Sequence, residues 1–530
     1  MSTFLRRLAG DAMASRNFRL IWSGSLLAYI STWMGTVGAS WLMAEIDPRP
    51  LMVALIQAAN TVPYFLLSLP AGVLADLVDR RRVMLWMQGG NVVIGLLLAG
   101  LLWHGSLHPV VLLLLSFLFG AMLAINAPAM QAAVSDSVPA RQLAQAVALN
   151  SMSYNMARSL GPALAGMLLT VVAPMWLFLI VAGGYALAWL ALFRLPVTPT
   201  QAKQHNLPPE PLWAALRTGV RFARHAPAVH AVLMRSVAMT LCGSALWALL
   251  PLLATRLEGG SAAGYGLLVT CLGGGAILGG LFMPFLRERF NLEQLVAGGT
   301  LMFALCSAAA ALLRQPWPMY VALLLGGAAW LIGNSVLFTV AQTSVPLWVR
   351  ARSTSIVLVT FQGGMAGGAV LWGMVAGPFG VQVALLAAAA SSIPLHWLNR
   401  RFPLEGGDEH ELKPAPHAAV NLPGTSGTGS SLEVEVRYRV APEHHDAFIQ
   451  HAEALGASRR RNGAGHWQLL MSLDAPESFV ERFSVANAEA WHHHVARTTV
   501  GDRALYEDLQ AFVDSQYAPC TEYYVNISGA

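Results

Sequence analysis

Charge is scarce in the first four hundred residues of this chain, so any ionisable group inside an apolar run is a candidate for chemistry. Arg158 stands near the middle of such a run, where a charge costs about 2.5–3.5 kcal/mol on insertion scales and is functional by default. A guanidinium there can bind an anionic or catecholate-like molecule; its competing use is to hold a backbone carbonyl or Asn155. Arg235 lies nearer the end of its run and is expected to snorkel to the adjacent face. A mostly apolar lining with few polar groups suits an amphipathic small molecule. Gln57, Asn60, Asn155, Asn334, Gln362 and Trp33 are the chosen lining, with Trp41, Trp247, Trp330 and Trp372 as further aromatic candidates.

A second constellation runs from Gly72 to Arg82. It packs Asp76, Asp79, Arg80, Arg81 and Arg82 between two apolar runs, and the three arginines set which side of a membrane the bend faces. The spacing reads as a cytoplasmic hinge built on Gly72, Asp76, Arg80 and Arg82. Adding 207 maps Gly72 onto Gly279, Arg80 onto Arg287, Arg82 onto Arg289, Gly161 onto Gly368 and Gly166 onto Gly373, which indicates an internal repeat. At that offset Asp76 meets Met283, so the acidic half of the latch is expected in the first half alone. The carboxylates Glu45, Asp47, Asp76, Asp79, Asp136, Glu258, Glu288 and Glu293 all lie at run ends. Protonation of Asp76 or Glu45 is the expected coupling switch.

Several chemistries drop out. A phosphate-binding loop needs Gly-Lys before Ser or Thr, and the only lysines are Lys203 and Lys413, each without a preceding glycine. The cysteines 242, 271, 306 and 520 make no disulfide or zinc spacing. His492, His493 and His494 are consecutive, and three successive helical residues point in different directions. No catalytic residue, metal or cofactor is assigned. The basic balance does not indicate nucleic acid, because it is uneven. Residues 1–402 carry 24 Arg and Lys against 10 Asp and Glu, and residues 431–530 carry 8 against 14.

The elements that must position these residues are membrane helices. The chain is 55% hydrophobic and 12% charged, against about 25% charged in soluble domains, with a mean hydropathy of +0.52. Apolar runs of about 20 residues span a bilayer, and twelve emerge at 19–45, 51–75, 83–103, 109–134, 142–170, 174–195, 229–255, 262–286, 294–313, 317–345, 353–377 and 380–399. Nineteen Arg and Lys fall in one set of loops and only Arg49, Arg256 and Arg314 in the other, which puts both termini and the central loop in the cytoplasm. The expected domains are a six-helix bundle over 1–195, a cytoplasmic loop over 196–228, a second six-helix bundle over 229–402, a Pro/Gly/Ser-rich linker over 403–431 and a soluble α+β domain over 432–530. In the last, Leu432, Val434, Val436, Tyr438 and Val440 alternate with charged residues as a half-buried strand. The order β-α-β-β-α-β suggests a ferredoxin-like sandwich.

The loop Gly72-x-x-Ala75-Asp76-x-x-Asp79-Arg80-Arg81-Arg82 resembles the signature of the major facilitator superfamily, departing from it at Leu77 and Asp79. Val138-Pro139, Leu149-Asn150-Ser151, Asn155, Arg158 and Gly161-Pro162-Ala163-Leu164-Ala165-Gly166 resemble its enterobactin exporter-like branch, the transmembrane secretion effectors. The tail, from Ala488 to Arg503, is similar to antibiotic-biosynthesis monooxygenase-like modules. The resemblance implies an all-α transporter fold and a secondary exporter of siderophores, drugs or metabolites, driven by a proton gradient in the inner membrane. It also implies a gate at Asp76 and a bendable Gly161-Pro162 motif. Importer and membrane-tethered enzyme are the competing expectations, and the tail is expected to be a regulatory or dimerising module.

Overall fold

The computed structural model describes residues 11–195, 221–256, 260–404, 411–415, 431–514, 517 and 519–525. Among the described residues, eleven long helices run through the apolar part: α1 Arg16–Ile46, α2 Pro50–Leu77, α3 Arg80–Trp103, α4 Pro109–Asp136, α5 Leu143–Val171, α6 Pro174–Phe193, α7 Pro227–Ala254, α8 Ala262–Arg289, α9 Leu292–Leu312, α10 Pro316–Thr343 and α11 Leu347–Asn399. Their starts follow from local chemistry. Pro50, Pro109 and Pro174 open α2, α4 and α6, at the position where a missing N–H costs nothing. Ser15, Asp79, Ser261 and Asn291 cap α1, α3, α8 and α9 with side-chain oxygens.

Nine helices among the described residues are long and apolar enough to cross a membrane. α1 and α5 are not in that set, though they are 31 and 29 residues long; they are also the helices that carry Trp33 and Arg158. α11 is broken at Gly380, whose φ of 85° suits glycine, close to the expected boundary between 353–377 and 380–399. Trp86, Val93, Leu96 and Leu97 on α3 and Leu281 and Phe282 on α8 are half or more exposed. Such a row of large apolar side chains belongs against lipid.

The helix boundaries test the repeat. An offset of 207 carries α4 onto α10 at both ends and α6 onto the segment after Gly380. It fails for α8 and α9. α2 ends at Leu77 and α8 at Arg289, and α3 begins at Arg80 and α9 at Leu292, so both differ by 212. The caps agree, since Asp79 answers Asn291 at that offset. Arg287 and Arg289 therefore close α8 and are not the counterparts of Arg80 and Arg82, which open α3. Asp76 maps onto Glu288, not Met283, and the expected asymmetry of the latch is withdrawn.

The tail forms an antiparallel sheet from β1 Leu432–Arg439, β2 Gly465–Met471, β3 Ser478–Val485 and β4 Cys520–Val525, in the order β2-β3-β1-β4. Helices α12 His445–Asn462, α13 Ala488–Ala496 and α14 Val500–Gln510 accompany it, the last two where the sequence placed two helices. Leu432, Val434, Val436 and Tyr438 meet Phe448, Phe479, Phe483 and Trp491 in one core. The alternation Glu433, Glu435, Arg437, Arg439 takes the other face, where Glu435 sits opposite Arg482.

The chain divides into two compact units. One takes its described residues from Met1–Gln204, Met234–Leu337 and Leu358–Arg401, and the other from His205–Leu233, Phe338–Val357 and Phe402–Ala530. In the second, Phe222, Ala226, Val229, Val345 and Val349 share a small apolar core with Trp348.

Candidate functional site

Arg158 lies midway along α5 with an indole on either side. Its guanidinium carbon is 5.8 Å from the ring centre of Trp33 on α1 and 5.3 Å from that of Trp247 on α7, within reach of a cation–π attraction. The aromatic contacts continue from Trp247 to Trp330 on α10 at 6.2 Å, and from Trp330 to Phe361 on α11 at 6.0 Å. On the other flank Tyr154 stands edge-on to Trp33 and to Tyr29. The cluster thus takes side chains from both repeats. Nε of Arg158, Nε1 of Trp33 and Nε1 of Trp247 are buried without hydrogen-bond partners. Unpaired buried donors cost about 1–3 kcal/mol each, and an oxygen acceptor placed among them would satisfy them.

Small residues bring the helices to this point. A methyl on Gly161 would lie 2.6 Å from Cβ of Trp33, and one on Gly273 of α8 would lie 2.9 Å from the carbonyl oxygen of Arg158. One on Gly266 would lie 2.8 Å from Cα of Gly166. α5 and α8 therefore cross backbone to backbone, as small residues permit in membranes. The same crossing recurs in the other repeat: a methyl on Gly373 of α11 would lie 2.7 Å from Cβ of Ala54 on α2. Gly166 and Gly373 differ by 207, and Ala54 and Gly266 by 212, as the helix boundaries require. Gly161-Pro162 sits inside an unbroken α5, so its described role is this close approach to α1 and α8.

The remaining chosen residues are placed as follows. Asn155 gives its amide to the carbonyl of Ser151 at 2.9 Å and Asn334 to that of Trp330 at 2.8 Å; neither holds Arg158. Asn60 bonds back to Ile56 at 3.0 Å and lines a cavity of about 20 Å³ inside the first repeat, together with Asn91, Ser116 and Thr36. That is room for about one water, and both amide atoms of Asn91 lack partners. Gln57 and Gln362 are half-buried. Glu45 accepts a 2.6 Å bond from Nε1 of Trp41, and Trp41 stacks on Tyr265 of α8 at 6.0 Å.

At the basic bend, the side chains of Gly72 and Asp76 lie outside the described residues. Asp79 caps α3 by accepting from the Arg82 amide at 3.1 Å. Arg80 pairs with Asp136 at the end of α4. Arg81 donates to the carbonyls of Leu192 and Phe193 and lies over the Phe193 ring, while Arg82 is exposed. Arg235 does not snorkel: it is 4% exposed and bonds both carboxylate oxygens of Glu293, at 2.6 and 2.8 Å.

Sequence reasoning missed Tyr29, Tyr154 and Phe361. The two tyrosines carried a signal, a hydroxyl inside an apolar run; Phe361 carried none. It also missed a polar network in the tail. There Asp502 receives Ser458 at 2.5 Å, Asn462 at 2.9 Å and the Thr499 amide at 3.0 Å, and pairs with Arg461. Burial alone would raise its carboxyl, but Arg461 and these donors hold it below its ordinary value. His494, 2% exposed, is pushed down to about 3, chiefly by burial and then by Arg459.

Repeated helical halves that cross through glycines around a shared polar-aromatic cluster define a secondary transporter of the major facilitator fold. A bacterial homologue of the human lysosomal transporter Spinster, solved inward-facing and unoccupied, aligns with a TM-score of 0.59 at 16% identity, over 74% of this chain and 98% of that one. The nucleoside transporter NupG aligns with a TM-score of 0.58 at 14% identity, over 74% and 99%. The chain belongs to the transmembrane secretion effector family, which matches residues 11–529 and so includes the tail. It is similar to the staphyloferrin A transporter of Staphylococcus aureus, 23% identical over 73% of this chain and 97% of the relative. It is also similar, at 23% identity over 76% of this chain and 96% of the relative, to the multidrug efflux pump Tap of Mycobacterium bovis.

Proposed function

We propose that this protein is an exporter of small amphipathic molecules, among which an oxygen-rich anionic metabolite such as a siderophore is the favoured substrate. It works with twelve spans in two halves of six, in the inner membrane with both termini cytoplasmic, by alternating access against a proton gradient. The observation that carries this reading is the trio of unpartnered donors, Arg158 Nε, Trp33 Nε1 and Trp247 Nε1, because a substrate oxygen would satisfy them and tie the two halves together. The names of the relatives, a siderophore transporter and a multidrug efflux pump, fit a polar-aromatic cluster whose cation and rings could meet either kind of molecule. Asp76, with Glu288 as its counterpart, is proposed for the cytoplasmic latch, and Glu45 for the outer one. The tail folds as a ferredoxin-like sandwich and serves regulation or pairing with a second copy.

The test is uptake into inverted membrane vesicles from cells lacking their own exporters, using catecholate and carboxylate siderophores beside a cationic dye. Export by proton antiport predicts accumulation under an inside-acid gradient. Arg158→Ala should lose the anions by more than tenfold and keep the dye. Loss of dye and anions alike, with the variant still folded, would reduce Arg158 to a structural residue. Accumulation only in right-side-out vesicles would make the protein an importer.

A further inference from the structure

Three helices of the tail enclose a cleft that the transport reading does not use. Its volume is about 460 Å³, within the range of small-molecule sites. Leu455, Ser458 and Arg459 of α12 form one wall, Trp491 and Val495 of α13 a second, and Tyr506 and Gln510 of α14 a third. Ala415 reaches the rim because the preceding segment is tied down. Its amide donates to the Thr498 carbonyl at 3.0 Å, and the amides of Val500 and Gly501 donate to the carbonyls of Lys413 and Glu411, each at 2.9 Å.

The charge inside the cleft is oriented. Glu481, 2% exposed, is already occupied by the Tyr438 hydroxyl and the Trp467 indole N–H, each at 2.9 Å. It binds Arg459 through Nε alone, at 3.4 Å, and Arg459 lies over the Phe483 ring at 5.2 Å. The guanidinium is thereby pinned by one edge. Its outer pair of nitrogens is left for the cleft, in the fork geometry that takes a carboxylate bidentately. The aromatic side chains of Trp491 and Tyr506 stand beside it.

We propose that the C-terminal domain holds a second small-molecule site, separate from the Arg158 cluster, which takes a planar aromatic acid with its carboxylate on Arg459 and its ring toward Trp491 and Tyr506. Equilibrium dialysis of salicylate against the full-length protein in lipid nanodiscs tests it, with benzamide as an uncharged probe of similar shape. The expected result is saturable binding of salicylate that is at least tenfold weaker for benzamide. Arg459→Gln should weaken salicylate at least tenfold. Because that variant also strips Glu481 of its cation, Gln510→Trp, which fills the cleft from its exposed rim, should abolish binding independently. Absence of saturable binding, equal binding of benzamide, or saturable binding undiminished by Gln510→Trp would overturn the site.

Discussion

Arg235 is neutralised by Glu293, whereas Arg158 is flanked by rings and has no carboxylate partner among the described residues. Removing one member of a fully buried pair costs about 3–5 kcal/mol, and less here because the Glu293 side chain is 35% exposed. Glu293→Gln should therefore lower the thermal midpoint of the purified protein, and Arg235→Met with Glu293→Met should recover most of the loss; no recovery would mean that the pair is not what Glu293 supports. In the tail the titrating residue is His494. Its folded value of about 3 lies below the ordinary value of about 6.5, so the unfolded chain binds a proton that the fold refuses. Stability then falls as pH drops from about 6.5 toward 3, by up to about 1.4 kcal/mol per pH unit. Asp502, whose folded value is also depressed, adds loss only in stronger acid. Amide protection factors of the tail in the intact protein, which correct for the intrinsic pH dependence of exchange, should fall between about pH 7 and 5, and His494→Gln should flatten that dependence. Arg158 was legible because charge in an apolar run is conspicuous. Its neighbours were legible only as residue types, since nothing local in a sequence says which tryptophan of which helix will meet it. Asp79 was read as a run-end carboxylate and a departure from a signature, not as a cap, although an Asp three residues before the amide that it caps is a recognisable helix start.

At the scale of elements, the backbone crossings of α5 with α8 and of α2 with α11 hold the halves together. Leucine at Gly266 would push α5 and α8 apart, because even a methyl there comes within 2.8 Å of Gly166 Cα. Gly266→Leu should reduce transport to background while the protein still reaches the membrane; near-normal transport would show that the crossing is not needed in the cycle. A third contact links α11 to the tail. Arg497, which caps α13, lies over the ring of Trp348 at 4.7 Å, and Trp348 is in the first turn of α11. Trp348→Ala should speed amide exchange in α13 without altering β1, and unchanged exchange would make that contact incidental. The long helices were readable from apolar length, and most of their boundaries fall within a few residues of expectation. The repeat was readable only in part, because one offset fits glycines scattered through a glycine-rich chain as well as it fits true counterparts. Only the helix ends and the two crossings separate 207 from 212.

For the whole molecule, the composition already divided a basic apolar part from an acidic tail. The strands of the tail were legible from alternation and element order, whereas the order β2-β3-β1-β4 and the contact of Arg497 with Trp348 are set by tertiary packing. Deleting residues 403–530 should leave the Arg158 cluster folded and transporting, with any regulation by aromatic acids removed. A truncated protein that folds but cannot transport would place the tail inside the transport cycle.

The five-residue slip between the repeats is local to two hairpins. α1 and α2 are joined by residues 47–49, but α7 and α8 by residues 255–261, which supplies most of the slip. It is recovered at once, because α9 has 21 residues against 24 in α3, and residues 313–315 replace 104–108 in the next turn. The two halves therefore differ in length at the first hairpin turn and in the opposite sense one hairpin later. α10 and α11, which carry the ring contacts onward from Trp247, stand again in the original frame.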